Sequence, residues 1–168
     1  MRSGYGPPHR AEEAPVSNAA KLMMGITLLT VPTIIFGGLT VLGVLTLGVA
    51  GLPGGPELTA TQYALYRAGH AHAGVLVLLS LVLQALLDHA RLSARITWSA
   101  RIAAPLAAIL VSGGFFGVAY LPALRFVLYA GAALVVYATL TVGIGLLRSL
   151  RGVEPLPVSA ATRRPAPA

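Results

Sequence analysis

The sequence predicts an all-α membrane protein, a four-transmembrane-helix bundle with both termini cytoplasmic. Three observations carry this. Of the residues, 56% are hydrophobic and only 10% charged, with mean hydropathy +0.79, whereas a soluble domain carries roughly 25% charged residues. The apolar residues fall in four membrane-length runs. The basic residues collect on one side of those runs, which sets the orientation.

In chain order, residues 1–20 are polar and proline-containing and predict a disordered cytoplasmic tail. The membrane domain is expected over 21–148, with spans at about 22–50, 69–87, 102–121 and 124–147. The first run, Leu22 to Ala50, ends in Gly48-Val49-Ala50, which is similar to a signal-peptide cleavage site. At 29 residues it is about twice the length of a signal core, so it is expected to stay as a span. Its length of roughly 43 Å exceeds the roughly 30 Å hydrocarbon core. It must tilt or bend, and Pro32 predicts a kink, because proline donates no backbone hydrogen bond. Thr27, Thr30, Thr33, Thr40 and Thr46 can bond back to their own helix. A first loop covers 51–66, with Leu58 to Tyr66 expected as a short interfacial helix and Tyr63 and Tyr66 at the membrane surface.

The second loop is expected over Asp88 to Arg101, carrying Arg91, Arg95 and Arg101, with Asp88 pairing Arg91 at i+3. The third span has Pro105 in its first turn and a Gly113/Gly117 pair that would allow close helix packing. Tyr120 to Ala123 predicts a tight turn into the fourth span. Residues 149–168 predict a disordered basic cytoplasmic tail.

Ten basic residues fall on the side of the termini and the second loop, against Arg67 and Arg125 on the other. That bias predicts a multi-pass protein of the plasma (inner) membrane with the lipid bilayer as its main partner. The charges sit at segment ends and in the tails rather than on an aromatic-interleaved patch, so no nucleic acid is expected as a partner. A single lysine, Lys21, amid heavy Arg, Ala, Gly, Pro and Leu usage, points to a GC-rich bacterial genome. There is no cysteine, which removes thiol redox chemistry and thiolate metal sites. No span carries a glutamate, which argues against the small four-helix multidrug transporters.

The second span holds the only leads to chemistry. With about 100° per residue, His70 shares a face with Gly74, Ser80, Gln84 and Asp88. His72 falls about 200° away, with Leu76, Leu79, Leu83 and Leu86. The small, polar face is expected inside the bundle and the leucine face against lipid. Gly74, Ser80 and Gln84 are then helix-packing residues, with Ser80 and Gln84 as interhelical hydrogen-bond partners. His70 and His72 are candidate cofactor ligands. On a helix, their i,i+2 spacing diverges, so a shared metal requires the helix to begin at or after His72. Glu57 is the one carboxylate that could join them, as a His70/His72/Glu57 site. Haem b is the other cofactor that an outer-end membrane histidine could hold, although His89 is about 28 Å away along the helix.

The stretch Arg67-Ala68-Gly69-His70-Ala71-His72, following a loop and opening a span, resembles the His-Ala-His helix start of small four-span membrane proteins related to the large subunit of cbb3-type haem-copper oxidases. The resemblance implies an axial haem ligand at His70 or His72. The chain departs from it in having Ala73-Gly74-Val75-Leu76 after the pair and no histidine in the third or fourth span.

Three functional classes follow. The first is an integral membrane protein without an identifiable catalytic site, a scaffold or accessory subunit packed in a homo-oligomer or against other membrane subunits. The second is a haem- or metal-binding redox or sensor protein using His70, with or without His72. The third is an oligomeric transporter subunit.

Overall fold

The structure is a computed structural model and describes residues 16–47 and 58–151. Most of both expected tails, His9, Glu57 and residues 48–57, which hold the first part of the first loop, lie outside the described residues. Among those residues there are only helices, and four of these stretches are long and apolar enough to cross a membrane.

The first span is made of two helices, α1 (Asn18–Leu29) and α2 (Val31–Leu47). Ser17 caps α1 by accepting from the Ala20 N–H at 3.1 Å. The break falls at Thr30, two residues before Pro32, where the helical ladder cannot continue. Threonine hydroxyls donate to the carbonyls around the break: Thr27 to Met23 at 2.8 Å, Thr30 to Thr27 at 2.7 Å and Thr33 to Thr30 at 2.6 Å. Such back-bonding satisfies carbonyls that lipid cannot.

The second span, α3 (Ala60–Leu87), starts well before the expected Gly69. Thr59 accepts from the Gln62 N–H, and the Gln62 side chain accepts in turn from the Thr59 N–H at 2.9 Å. This capping box begins the helix at Ala60. Leu58 to Tyr66 is therefore not a separate interfacial helix; from Ala60 onward it forms the first turns of the span.

The third span, α4 (Ala94–Val118), also starts early, directly after Ser93. The expected loop to Arg101 shrinks to 88–93, and Arg95 and Arg101 become helical. Pro105 lies well inside α4 rather than in its first turn. A short 3-10 turn, Pro122–Leu124, leads into α5 (Arg125–Leu150), the fourth span.

The last three spans form the packed part. Leu83 and Leu87 of α3, Ala100, Ala103 and Ala104 of α4, and Ala138 and Val142 of α5 make one buried cluster, with Leu79 and Leu86 packed against it. This corrects the expected leucine face of α3. It faces α4 and α5, while Val75, Leu78 and Val82 are exposed in the lipid direction. The reason is that α3 is central and must bury two faces, so its larger apolar residues meet the alanine face of α4. Alanine and glycine let those backbones approach closely, the main route to helix association where lipid removes the hydrophobic drive. A Cβ at Gly131 of α5 would stand 2.7 Å from the Val111 amide nitrogen, and one at Gly114 would stand 2.7 Å from the Leu128 Cβ.

The first span is attached differently. Among the described residues it contacts α3 and the edge of α4 but not α5. Only 11% of its most apolar stretch is buried, against 44% for α4. Beside its kink a cleft of about 360 Å³ opens toward α3 and α4.

Candidate functional site

The polar side chains of α3 gather at its two ends. At the end where the chain enters the bundle, four residues from three segments form one network. Pro105 explains its centre. Having no N–H, it leaves the Arg101 carbonyl, four residues back, without its helical partner. The Gln84 amide donates to that carbonyl at 2.7 Å, and Arg101 returns two bonds, to the Gln84 carbonyl at 3.2 Å and to its Oε1 at 3.1 Å. Both residues are buried, Gln84 completely.

The other arm of the Arg101 guanidinium forms an ion pair with Asp88, the residue that ends α3. The Ser17 hydroxyl donates to Asp88 Oδ1 at 2.7 Å and the Ser17 N–H to Oδ2 at 2.9 Å. Burial pushes the Asp88 carboxyl up. The Ser17 hydroxyl and N–H and the Arg101 guanidinium more than reverse this and hold it below the usual carboxylate range. Asp88 therefore pairs with Arg101 rather than Arg91. The early start of α4 turns Arg101 inward, while Arg91 stays in the connecting segment, its backbone N–H donating to the Gly145 carbonyl of α5 at 3.1 Å. The result joins the start of α1, the end of α3 and the second turn of α4. Arg101 is the buried member and Asp88 the partly exposed one, and each charged group finds several partners.

At the opposite end, Gln62 donates to the Ala119 carbonyl at 3.0 Å, tying α3 to the end of α4. Tyr66 and Tyr120 meet through their hydroxyls, with Phe116 against the Tyr66 ring at 5.6 Å between centroids. The two histidines lie further in. Because α3 begins at Ala60, both sit in regular helix and their rings diverge. The His70 ring covers Gly38 of α2, with Cε1 and Nε2 2.7 and 2.8 Å from where a Cβ would stand. His72 bonds through Nδ1 to the Ala68 carbonyl at 2.7 Å and packs on Phe115 of α4, 4.8 Å between centroids.

This arrangement bears on the cofactor candidates. An axial imidazole needs an open nitrogen facing a flat macrocycle. His70 turns Nε2 onto the α2 backbone, whereas His72 is exposed and holds the Ala68 carbonyl through Nδ1 with its ring on Phe115. The two do not converge on one metal, and no group of three or more His, Cys, Asp or Glu is placed to hold one among the described residues.

The packing candidates divide. Gln84 is in the network. Ser80 is buried with no hydrogen-bond partner for its hydroxyl among the described residues. Gly117 sits against Leu124, while nothing lies within 4 Å of a Cβ at Gly74 or Gly113. The small seam of α4 thus runs through Gly114 and Gly117 rather than through Gly113.

Arg101 and Ser17 were not among the candidates, though two signals bore on them. Pro105 sits four residues after Arg101, and Ser17 precedes the first apolar run as a cap residue would. In comparisons with known proteins, no family model, no curated protein and no solved structure matches this chain.

Proposed function

We propose that the chain is a membrane scaffold or accessory subunit that offers its first span to another transmembrane helix. It is a multi-pass protein of a bacterial plasma membrane with both termini cytoplasmic. The orientation rests on Lys21, Arg91, Arg95, Arg148 and Arg151, which lie at the end of the bundle where α1 begins and α5 ends. Arg67 and Arg125 belong to the other end.

The carrying observation is how little of the first span is covered: 11% of its most apolar stretch is buried, against 44% for α4. Gly38 lies under His70, but Gly25, Gly37 and Gly43 of the same span meet nothing within 4 Å. Small residues in membrane helices earn their place by close contact, and the chain itself supplies none at these three.

The test is the size of the particle extracted in mild detergent, read with the thermal stability of the same sample. The wild-type chain is expected in an assembly, of its own copies or with other membrane subunits. Gly37→Leu and Gly43→Leu are expected to release a single chain of unchanged Tm. A wild-type chain that is monomeric in detergent and gives no cross-linked partner in its native membrane contradicts the reading.

A further inference from the structure

The cleft beside the kink has the chemistry of a binding site. Thr27, Thr30 and Thr33 of the first span form one wall, with Val77 of α3 and Pro105 and Ser112 of α4 opposite. Its volume of about 360 Å³ lies at the lower end of the range for small-molecule pockets. No ionisable side chain lines it.

We propose that this cleft takes a neutral, largely apolar molecule carrying a carbonyl oxygen, a quinone-like ligand drawn from the lipid phase, with Ser112 as the hydrogen-bond donor. Ser112 is 8% exposed, and its hydroxyl has no partner among the described residues. The three threonine hydroxyls have already committed their protons to backbone carbonyls. Among the described residues, Ser112 is therefore the one hydroxyl in the cleft with a free proton, and it requires an acceptor. Water does not supply one in the hydrocarbon layer. Ser112 lies six residues inside the end of α4, about 9 Å along the axis. A phospholipid chain can fill the space at that depth, but its ester oxygens stay near the surface. A ligand whose carbonyl travels with its apolar body satisfies both the shape and the donor. Uncharged walls exclude a charged head group, because desolvating it would go uncompensated.

The experiment uses the full chain in detergent and two probes of similar shape, 1,4-naphthoquinone and naphthalene. Ligand binding to the native state raises Tm. Naphthoquinone is expected to bind saturably and about three- to tenfold more tightly than naphthalene, the range one net hydrogen bond gives. Ser112→Ala should erase that difference and leave naphthalene binding unchanged. Ala73→Leu, on another helix lining the cleft, should block both probes, which keeps the test decisive if Ser112→Ala does not fold. Added phosphatidylcholine should leave the preference intact. Equal binding of the two probes, a preference that survives Ser112→Ala, or no saturable binding overturns the proposal. Equal binding would mean that the cleft holds only acyl chains and that Ser112 bonds back to its own helix.

Discussion

The first span and the three that follow it are all apolar enough to cross a membrane yet are built by opposite rules. α4 meets both α3 and α5 along its length, with alanine and glycine bringing backbones together and leucine filling the remainder. The first span is pinned at its start, by Ser17 to the Asp88–Arg101 pair, and again in the middle of α2, by Gly38 under His70, and stands off at its kink. In water, such a loosely held helix would be pressed inward by its exposed Leu29, Ile35 and Phe36. In lipid those side chains are already solvated, so packing alone decides which helices stay together. The difference teaches that the polar network compensates for packing the first span lacks.

The largest expected effect comes from breaking that network. Asp88→Leu leaves the Arg101 guanidinium without its ion partner and Ser17 without its acceptor. Arg101 is buried but Asp88 is partly exposed, so the cost is expected at about 3 kcal/mol, the lower end of the range for breaking a buried pair. Hydrogen exchange should speed first at the start of α1, while α5 stays protected; simultaneous loss at both would mean the two regions unfold as one. Adding Arg101→Leu should recover much of the loss, because the uncompensated charge is gone.

Gly131→Ala probes the other region. The added methyl meets the α4 backbone, so a cost of about 1–3 kcal/mol is expected. Equilibrium unfolding in a denaturing detergent reads it. The same change at Gly25 or Gly37 should be neutral to stabilising by up to about 1 kcal/mol, from helix propensity alone. A like cost at both sets would erase the distinction between the regions.

Gln84→Leu should cost about 1–3 kcal/mol, because it orphans the carbonyl that Pro105 leaves free. Pro105→Ala restores a backbone donor, so Gln84→Leu should be milder on that background, and a double-mutant cycle measures the coupling. Strict additivity would detach Pro105 from the network.

The smallest effect is on pH. Folding lowers the Asp88 pKa. Its contribution is therefore full above the unfolded value, about 3.9, and is lost as pH falls through the lower folded value. Thermal melts in that acid range should show a wild-type decline that is reduced in Asp88→Asn. Equal declines would place the acid sensitivity elsewhere.

Much of this architecture was legible beforehand, and the exceptions have physical causes. Long apolar runs announced the four spans, and Pro32 announced the kink, because hydropathy and proline act through local backbone chemistry. The starts of α3 and α4 were set too late. Hydropathy sees the apolar body of a helix, while Thr59, Gln62 and Ser93 start it through polar side chains and backbone outside that body. The error propagated to the network, since an Arg101 assigned to a loop could not be placed inside. The two lipid directions of α3 were confused because an apolar residue reads the same whether it faces lipid or another helix. The divergence of His70 and His72 followed from helical geometry alone, whereas their contacts with Gly38 and Phe115 depend on partners far along the chain.

The most direct test of the contrast between the regions is photocross-linking in the native membrane. A benzophenone amino acid is placed at Phe36 on the first span or at Leu140 on α5, both exposed positions. Discrete protein adducts are predicted from Phe36, and lipid adducts alone from Leu140. Protein adducts of equal yield from both positions, or from neither, would contradict a first span set aside for a partner helix.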